Sequence, residues 1–173
     1  TRARIDEVRA QLSRARALRV AGKFADGLEQ ARAALADAET LGWPPLVAAA
    51  RHLEGDLLER TGVYPEAEAV VLAAYMEAAM VRAWDVAARA AVDLVLNIGY
   101  RQSRHAEAEV WAGHAKVALS LAGDPLDLLE AGRLNHLALV HHAAGDYAEA
   151  KALYQRAIGI VEKGRGADHP TMA

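Results

Sequence analysis

Apolar residues recur along the chain at helical spacing. Near the C-terminal end, Leu134, Leu137, Ala138 and Val140 form one stripe. Ala150, Leu153, Tyr154, Ala157 and Ile158 form a second, at steps of three and one. This is the period of two amphipathic helices. Gly145 stands between them and suits the left-handed conformation that ends a helix. Asp146 is placed to cap the next helix, with Glu149 three residues later as in a capping box. The stretch GDYAEAKALYQRA therefore reads as a turn followed by the opening of a second helix.

The same pattern occurs further back. Gly145, Tyr147, Glu149, Ala150 and Ala157 recur as Gly62, Tyr64, Glu66, Ala67 and Ala74. They recur again as Gly22, Phe24, Asp26, Gly27 and Ala34. A weaker copy reads Ser103, His105, Glu107, Ala108 and Ala115. The small residues Gly27, Ala67, Ala108 and Ala150 lie 40, 41 and 42 positions apart. The acidic and aromatic sites carry this alignment, because alanine matches cheaply in an alanine-rich chain. Pro65 falls early in a helix, where its missing N–H is harmless. Gly42-Trp43-Pro44-Pro45 and Gly123-Asp124-Pro125 punctuate the copies.

The pattern predicts eight helices, near 2–21, 24–41, 45–61, 65–80, 83–102, 104–122, 125–144 and 147–163. They form four antiparallel pairs, 2–41, 45–80, 83–122 and 125–163, in one repeat domain over 1–173. One pair cannot bury its apolar face alone, so the fold is an all-α solenoid. Residues 168–173, with His169-Pro170-Thr171-Met172-Ala173, read as the start of a truncated further repeat. The array should then present an uncovered apolar end, which either associates end to end or leaves its last helix exposed.

Composition supports this picture. Apolar residues make up 53% of the chain but aromatics only 5%, so the core is mostly Ala, Leu and Val. Ala and Leu favour helices, and Ala lets helix axes approach closely. The net charge of −3 gives no basic excess for nucleic acid. No run reaches the length and apolarity of a membrane span. Without cysteine there are no disulfides or thiolate metal sites. The chain opens on Thr1, which points to a piece of a larger protein, and the expected setting is cytoplasmic.

Chemistry is hard to place on this sequence. His136, His141 and His142 share a helix, but spacings of five and six do not bring two imidazoles onto one metal. His105 stands in for the turn aromatic. Gly159 and Gly164 are followed by Arg165-Gly166 rather than the Lys-Ser/Thr of a phosphate loop. The G-x-S-x-G elbow is absent. No catalytic residue, metal site or cofactor is expected, and the chain is read as a non-enzyme. Trp43 and Trp84 lie 41 positions apart and read as a recurring packing site, with Leu126 in the fourth copy. Trp111 has no counterpart and is expected to be the exposed aromatic on the outer layer.

These repeats resemble the tetratricopeptide (TPR) repeat, a small residue, a Gly-x-Tyr turn, then Ala, an aromatic and Ala. The last copy supplies Ala138, Gly145, Tyr147, Ala150, Tyr154 and Ala157. The second supplies Gly55, Gly62, Tyr64, Ala67, Val71 and Ala74, and the first Ala15, Gly22, Phe24, Gly27, Ala31 and Ala34. The period exceeds the 34 residues usual for that repeat and is similar to the longer kinesin-light-chain type. The third copy departs, with Leu96 for the small residue, Ser103 for Gly and His105 for the aromatic. A locally widened helix pair is expected there.

The resemblance implies a right-handed superhelix whose first helices line a concave groove for a protein or peptide partner. Carried over by position, that groove holds Arg9, Arg16 and Arg19, then His52, Asp56, Glu59 and Arg60. Further along come Asp93, Asn97, Tyr100 and Arg101, and finally Asn135, His136, Leu139 and His142. His141 is expected to face the packing and His142 the groove. Asn97 is the expected contact to a ligand main chain. Asp93 stands where a carboxylate clamp would carry a cation, so a partner of mixed charge fits better. The setting implied is a bacterial signalling protein. The alternatives are a regulatory sensor of a kinase or transcription regulator, holding a small ligand or acting in cis, and a self-assembly module.

Overall fold

The computed structural model describes residues 2–123 and 127–168, with side chains described through residue 164. Eight α-helices follow in order: α1 Arg2–Val20, α2 Phe24–Leu41, α3 Pro44–Arg60, α4 Tyr64–Met80, α5 Trp84–Leu94, α6 His105–Ala122, α7 Asp127–Ala144 and α8 Tyr147–Asp168. α5 continues without a break into a π-helical segment, Val95–Arg101. The expected eight helices are therefore present, and each packs antiparallel on its neighbour in sequence. Asp124, Pro125, Leu126 and the segment 169–173, which includes the expected further repeat, lie outside the described residues.

Among the described residues, each turn between helices holds one residue in the left-handed region. Within pairs these are Gly22, Gly62, Ser103 and Gly145. Between pairs they are Gly42, Arg82 and Gly123. The five glycines adopt positive φ without a Cβ penalty, whereas Ser103 at 57° and Arg82 at 59° bear one. Both non-glycine residues belong to the third pair: Arg82 leads into its first helix and Ser103 joins its two helices. At the last turn Asp146 caps α8 through Oδ1, which accepts the Glu149 N–H at 3.3 Å. The reciprocal arm of the box is not used, since the Asp146 N–H donates to the His141 carbonyl.

The third pair absorbs its irregularity inside the helix. After the other turns within pairs the closing backbone bond spans five residues, from Lys23 to Leu18, Val63 to Leu58 and Asp146 to His141. At the third it spans six, from Arg104 N–H to the Ile98 carbonyl. One extra residue has entered the first helix, and the π turn accommodates it by widening the backbone ring. Side chains then rotate by one position. Val95, not Leu96, is fully buried against Ala108 and Ala112 of α6. The helices themselves are not spread apart. A Cβ on Gly99 would collide with Ala108 and Val140, so this pair meets closely there.

The core runs the length of the array. Val8, Leu12 and Ala15 of α1 pack with Ala31, Ala34 and Ala38 of α2 and with Leu46, Ala50, Leu53 and Leu57 of α3. At the other end Leu134, Leu137 and Ala138 of α7 pack with Leu153 and Ala157 of α8. The two tryptophan expectations exchange places. Trp43 is 37% exposed and carries the Arg9 guanidinium over its ring at 5.3 Å. Trp111 instead sits at the junction of three core clusters, edge-on to Tyr75 with ring centres 5.2 Å apart. Trp84 does pack into the core, against Ala87 and Ala118 among others.

Candidate functional site

Successive first helices touch along the array, α1 on α3, α3 on α5 and α5 on α7. Successive second helices are splayed, with α4 and α6 meeting through Tyr75, Trp111 and His114. A layer that is tight on one side and open on the other curves toward the tight side. The first helices therefore form the inner wall.

Two adjoining cavities lie on that wall. One, of about 360 Å³, is lined by Arg16 and Arg19 of α1, His52, Leu53 and Asp56 of α3, and Asp85, Val86 and Arg89 of α5. The second, of about 450 Å³, runs on toward the N-terminal end past Arg9, Ser13, Trp43 and Pro45. The two share Arg16, Ala49, Asp85 and Val86, so they form one trough. Arg9, Arg16, Arg19, His52 and Asp56, all expected in a groove, are brought together here.

Deeper in, the polar groups are satisfied by one another. Asp56 is buried and accepts from Arg19 Nη1 at 2.5 Å and from Arg60 Nε at 3.0 Å. His52 Nε2 lies 2.7 Å from Asp93 Oδ2, bridging α3 to α5. Burial pushes the Asp93 carboxyl upward, but the hydrogen bond and charge of His52, with His136 and Arg60 nearby, hold it below its ordinary value. His136 Nδ1 is 3.1 Å from the Val92 carbonyl. Arg101 donates to Glu59 at 2.8 Å and stacks over Tyr64 and Tyr100. The Glu59 hydrogen bond raises its pKa above the ordinary arginine value. These pairs tie consecutive repeats together.

The mouth of the trough differs. Among the described residues, neither Arg16 nor Arg89 has a carboxylate within ion-pair distance. Burial lowers the Arg16 pKa, and the nearby charges of Arg89 and Arg19 lower it further. Three guanidiniums and the Asp85 carboxylate thus face one cavity, and one of the guanidiniums, Arg19, is paired with Asp56. A carboxylate entering here would relieve repulsion rather than compete with an existing pair.

The remaining groove expectations scatter. Asn97 does not reach the trough. The π turn leaves it buried at 2% exposure, with Oδ1 accepting from Gln102 Nε2 at 2.7 Å and Nδ2 enclosed without a partner. It holds the turn rather than offering an amide to a ligand. Asn135 lines a separate cavity between α7 and α8. His142 is exposed, edge-on to Tyr147 at 5.1 Å. His141 packs half-buried, with Nε2 2.8 Å from Glu109 of α6. Arg89 and Asp85 were not anticipated, although Arg89 stands one helical turn before Asp93 on the same face.

Residues 131–171 match the family model described as tetratricopeptide repeat. The fourth helix pair is therefore similar to a tetratricopeptide repeat, and the described residues form an all-helical array of antiparallel pairs. The chain is similar to the solved structure of BtubC (BKLC) from P. vanneervenii, at 17% identity over 99% of this chain and 94% of that one, with a TM-score of 0.48. No curated protein matches the chain. Among the described residues no helix is long and apolar enough to cross a membrane. Nor, among them, are three or more His, Asp or Glu side chains grouped to hold a metal ion.

Proposed function

We propose that the chain is a non-catalytic protein-interaction module. It holds an extended segment of a partner protein in the trough formed by α1, α3 and α5. The observation that carries this reading is the contrast along the trough, with paired polar groups in the middle and free guanidiniums at the mouth. Arg16 and Arg89 take an acidic side chain or terminal carboxylate of the segment. Trp43, beneath Arg9, offers an adjoining aromatic surface for an apolar residue. The partner is thus of mixed apolar and acidic character, and charge sets its register.

We further infer, as the setting of this module, a bacterial signalling protein in the cytoplasm. A small-molecule sensor would need a closed apolar pocket at the irregular third pair. That space is filled by Val95, Ile98 and the close approach at Gly99, which favours the segment-binding reading.

Peptides selected on the chain from a random library test the proposal. Bound peptide should slow amide exchange on α1, α3 and α5 and leave α2 and α4 unchanged. Protection confined to the second helices would refute it.

A further inference from the structure

The guanidiniums at the mouth of the trough outnumber the anions that reach them. They come from two helices. Arg16 and Arg19 stand one helical turn apart on α1, and Arg89 lines the same cavity from α5. Among the described residues, Arg16 and Arg89 make no side-chain hydrogen bond or ion pair, and Arg19 gives only Nη1, to Asp56. Asp56 also accepts from Arg60, so its charge is divided between two partners. Asp85 is the other carboxylate on the cavity. It lies in the first turn of α5, where the partial positive charge of the helix start offsets it. Ala49, Leu53 and Val86 form apolar wall between these groups. Such walls strengthen a charged hydrogen bond made beside them.

We propose, resting on the reading of the trough as the seat of a partner segment, that this cavity takes a phosphoryl group carried on a side chain of that segment. A phosphorylated side chain brings close to two negative charges and three strong acceptor oxygens. Arginine forks match such a group with paired hydrogen bonds. A carboxylate has only two oxygens. It fills the fork of Arg16 or of Arg89 and leaves the other arginine unpaired. The three phosphoryl oxygens serve both, with the unused edge of Arg19 alongside. The group then ties α1 to α5, as the His52–Asp93 pair already ties α3 to α5. A free phosphate ion makes these contacts alone, whereas a segment adds the Trp43 surface in the adjoining cavity.

The test uses a library-selected peptide and the acidic position in it whose change to alanine weakens binding most. That position is made as serine, as glutamate and as phosphoserine, and each peptide is titrated calorimetrically into the full chain. Phosphoserine should bind about tenfold more tightly than glutamate, and glutamate more tightly than serine. Arg16→Gln and Arg89→Gln, both at exposed positions, should each bring phosphoserine and glutamate to within about twofold, with helical circular dichroism intact. Inorganic phosphate alone should bind far more weakly than the phosphoserine peptide. A phosphoserine form no tighter than the glutamate form, an advantage that survives both substitutions, or inorganic phosphate binding as tightly as the peptide would each overturn the proposal. Where the glutamate form still protects α1, α3 and α5 from amide exchange, such a result leaves the segment-binding reading standing. If no form protects those helices, that reading fails and the phosphoryl site fails with it.

Discussion

The mouth and the middle of the inner wall use the same residue types to opposite effect. In the middle, Arg60, Arg101 and His52 each meet a carboxylate of the wall itself, namely Asp56, Glu59 and Asp93. At the mouth, Arg16 and Arg89 face a cavity and one another. A count of charges cannot separate these two regions. What separates them is whether each cation already has its anion. The paired region holds repeats in register, and the unpaired region is where we propose that the partner segment binds.

Removing the central anion should give the largest effect on stability. Asp56→Ala deletes two charge-assisted hydrogen bonds, from Arg19 and Arg60, and leaves Arg19 unpaired beside Arg16 and Arg89. Urea denaturation should register a loss of about 2 kcal/mol, moderated because both arginines can turn toward water. The same change should strengthen binding of an acidic peptide at the mouth, since it frees Arg19 there. Asp93→Asn comes next and acts through pH. The native Asp93 pKa is depressed, so its contribution is present above the unfolded value and is lost as pH falls through the folded one. The variant should be less stable than the parent near neutral pH, and the difference should close below about pH 4. Arg16→Ala should be near neutral in stability, within about 0.5 kcal/mol, because it removes a repelled and unpaired charge. Ser103→Gly should give the smallest change, a gain of about 0.5 kcal/mol from relieving a left-handed serine, offset by glycine's greater chain entropy. A loss of stability in Ser103→Gly would mean that the serine side chain supports the third turn.

Most of the fold was legible because its signals are local. Gly22, Gly62 and Gly145 mark turns through backbone freedom alone, and Ser103 aligns with them by repeat position. The 40, 41 and 42 spacing also held the insertion in the third pair. Its structural consequence was not readable, because an extra residue can be absorbed in a turn, in a longer helix or in a π segment. Once the π segment rotates the helix, Val95 replaces Leu96 in the core and Asn97 is carried inward. Repeat register therefore brings Arg16, His52 and Asp56, which precede the insertion, to one cavity, whereas Asn97, which lies within it, is buried away from that cavity. The free state of Arg16 and Arg89 was not legible either. It depends on which carboxylates the fold brings within reach from other helices.

The central claim is that the unpaired arginines at the mouth hold the partner. Calorimetric titration of a library-selected peptide into the chain and into the Arg16→Glu, Arg89→Glu double variant tests it most directly. The account predicts a loss on the order of a hundredfold, about 3 kcal/mol, together with a weaker dependence on salt, while thermal stability stays close to that of the parent. Affinity within about twofold of the parent, with the same salt dependence, would contradict it.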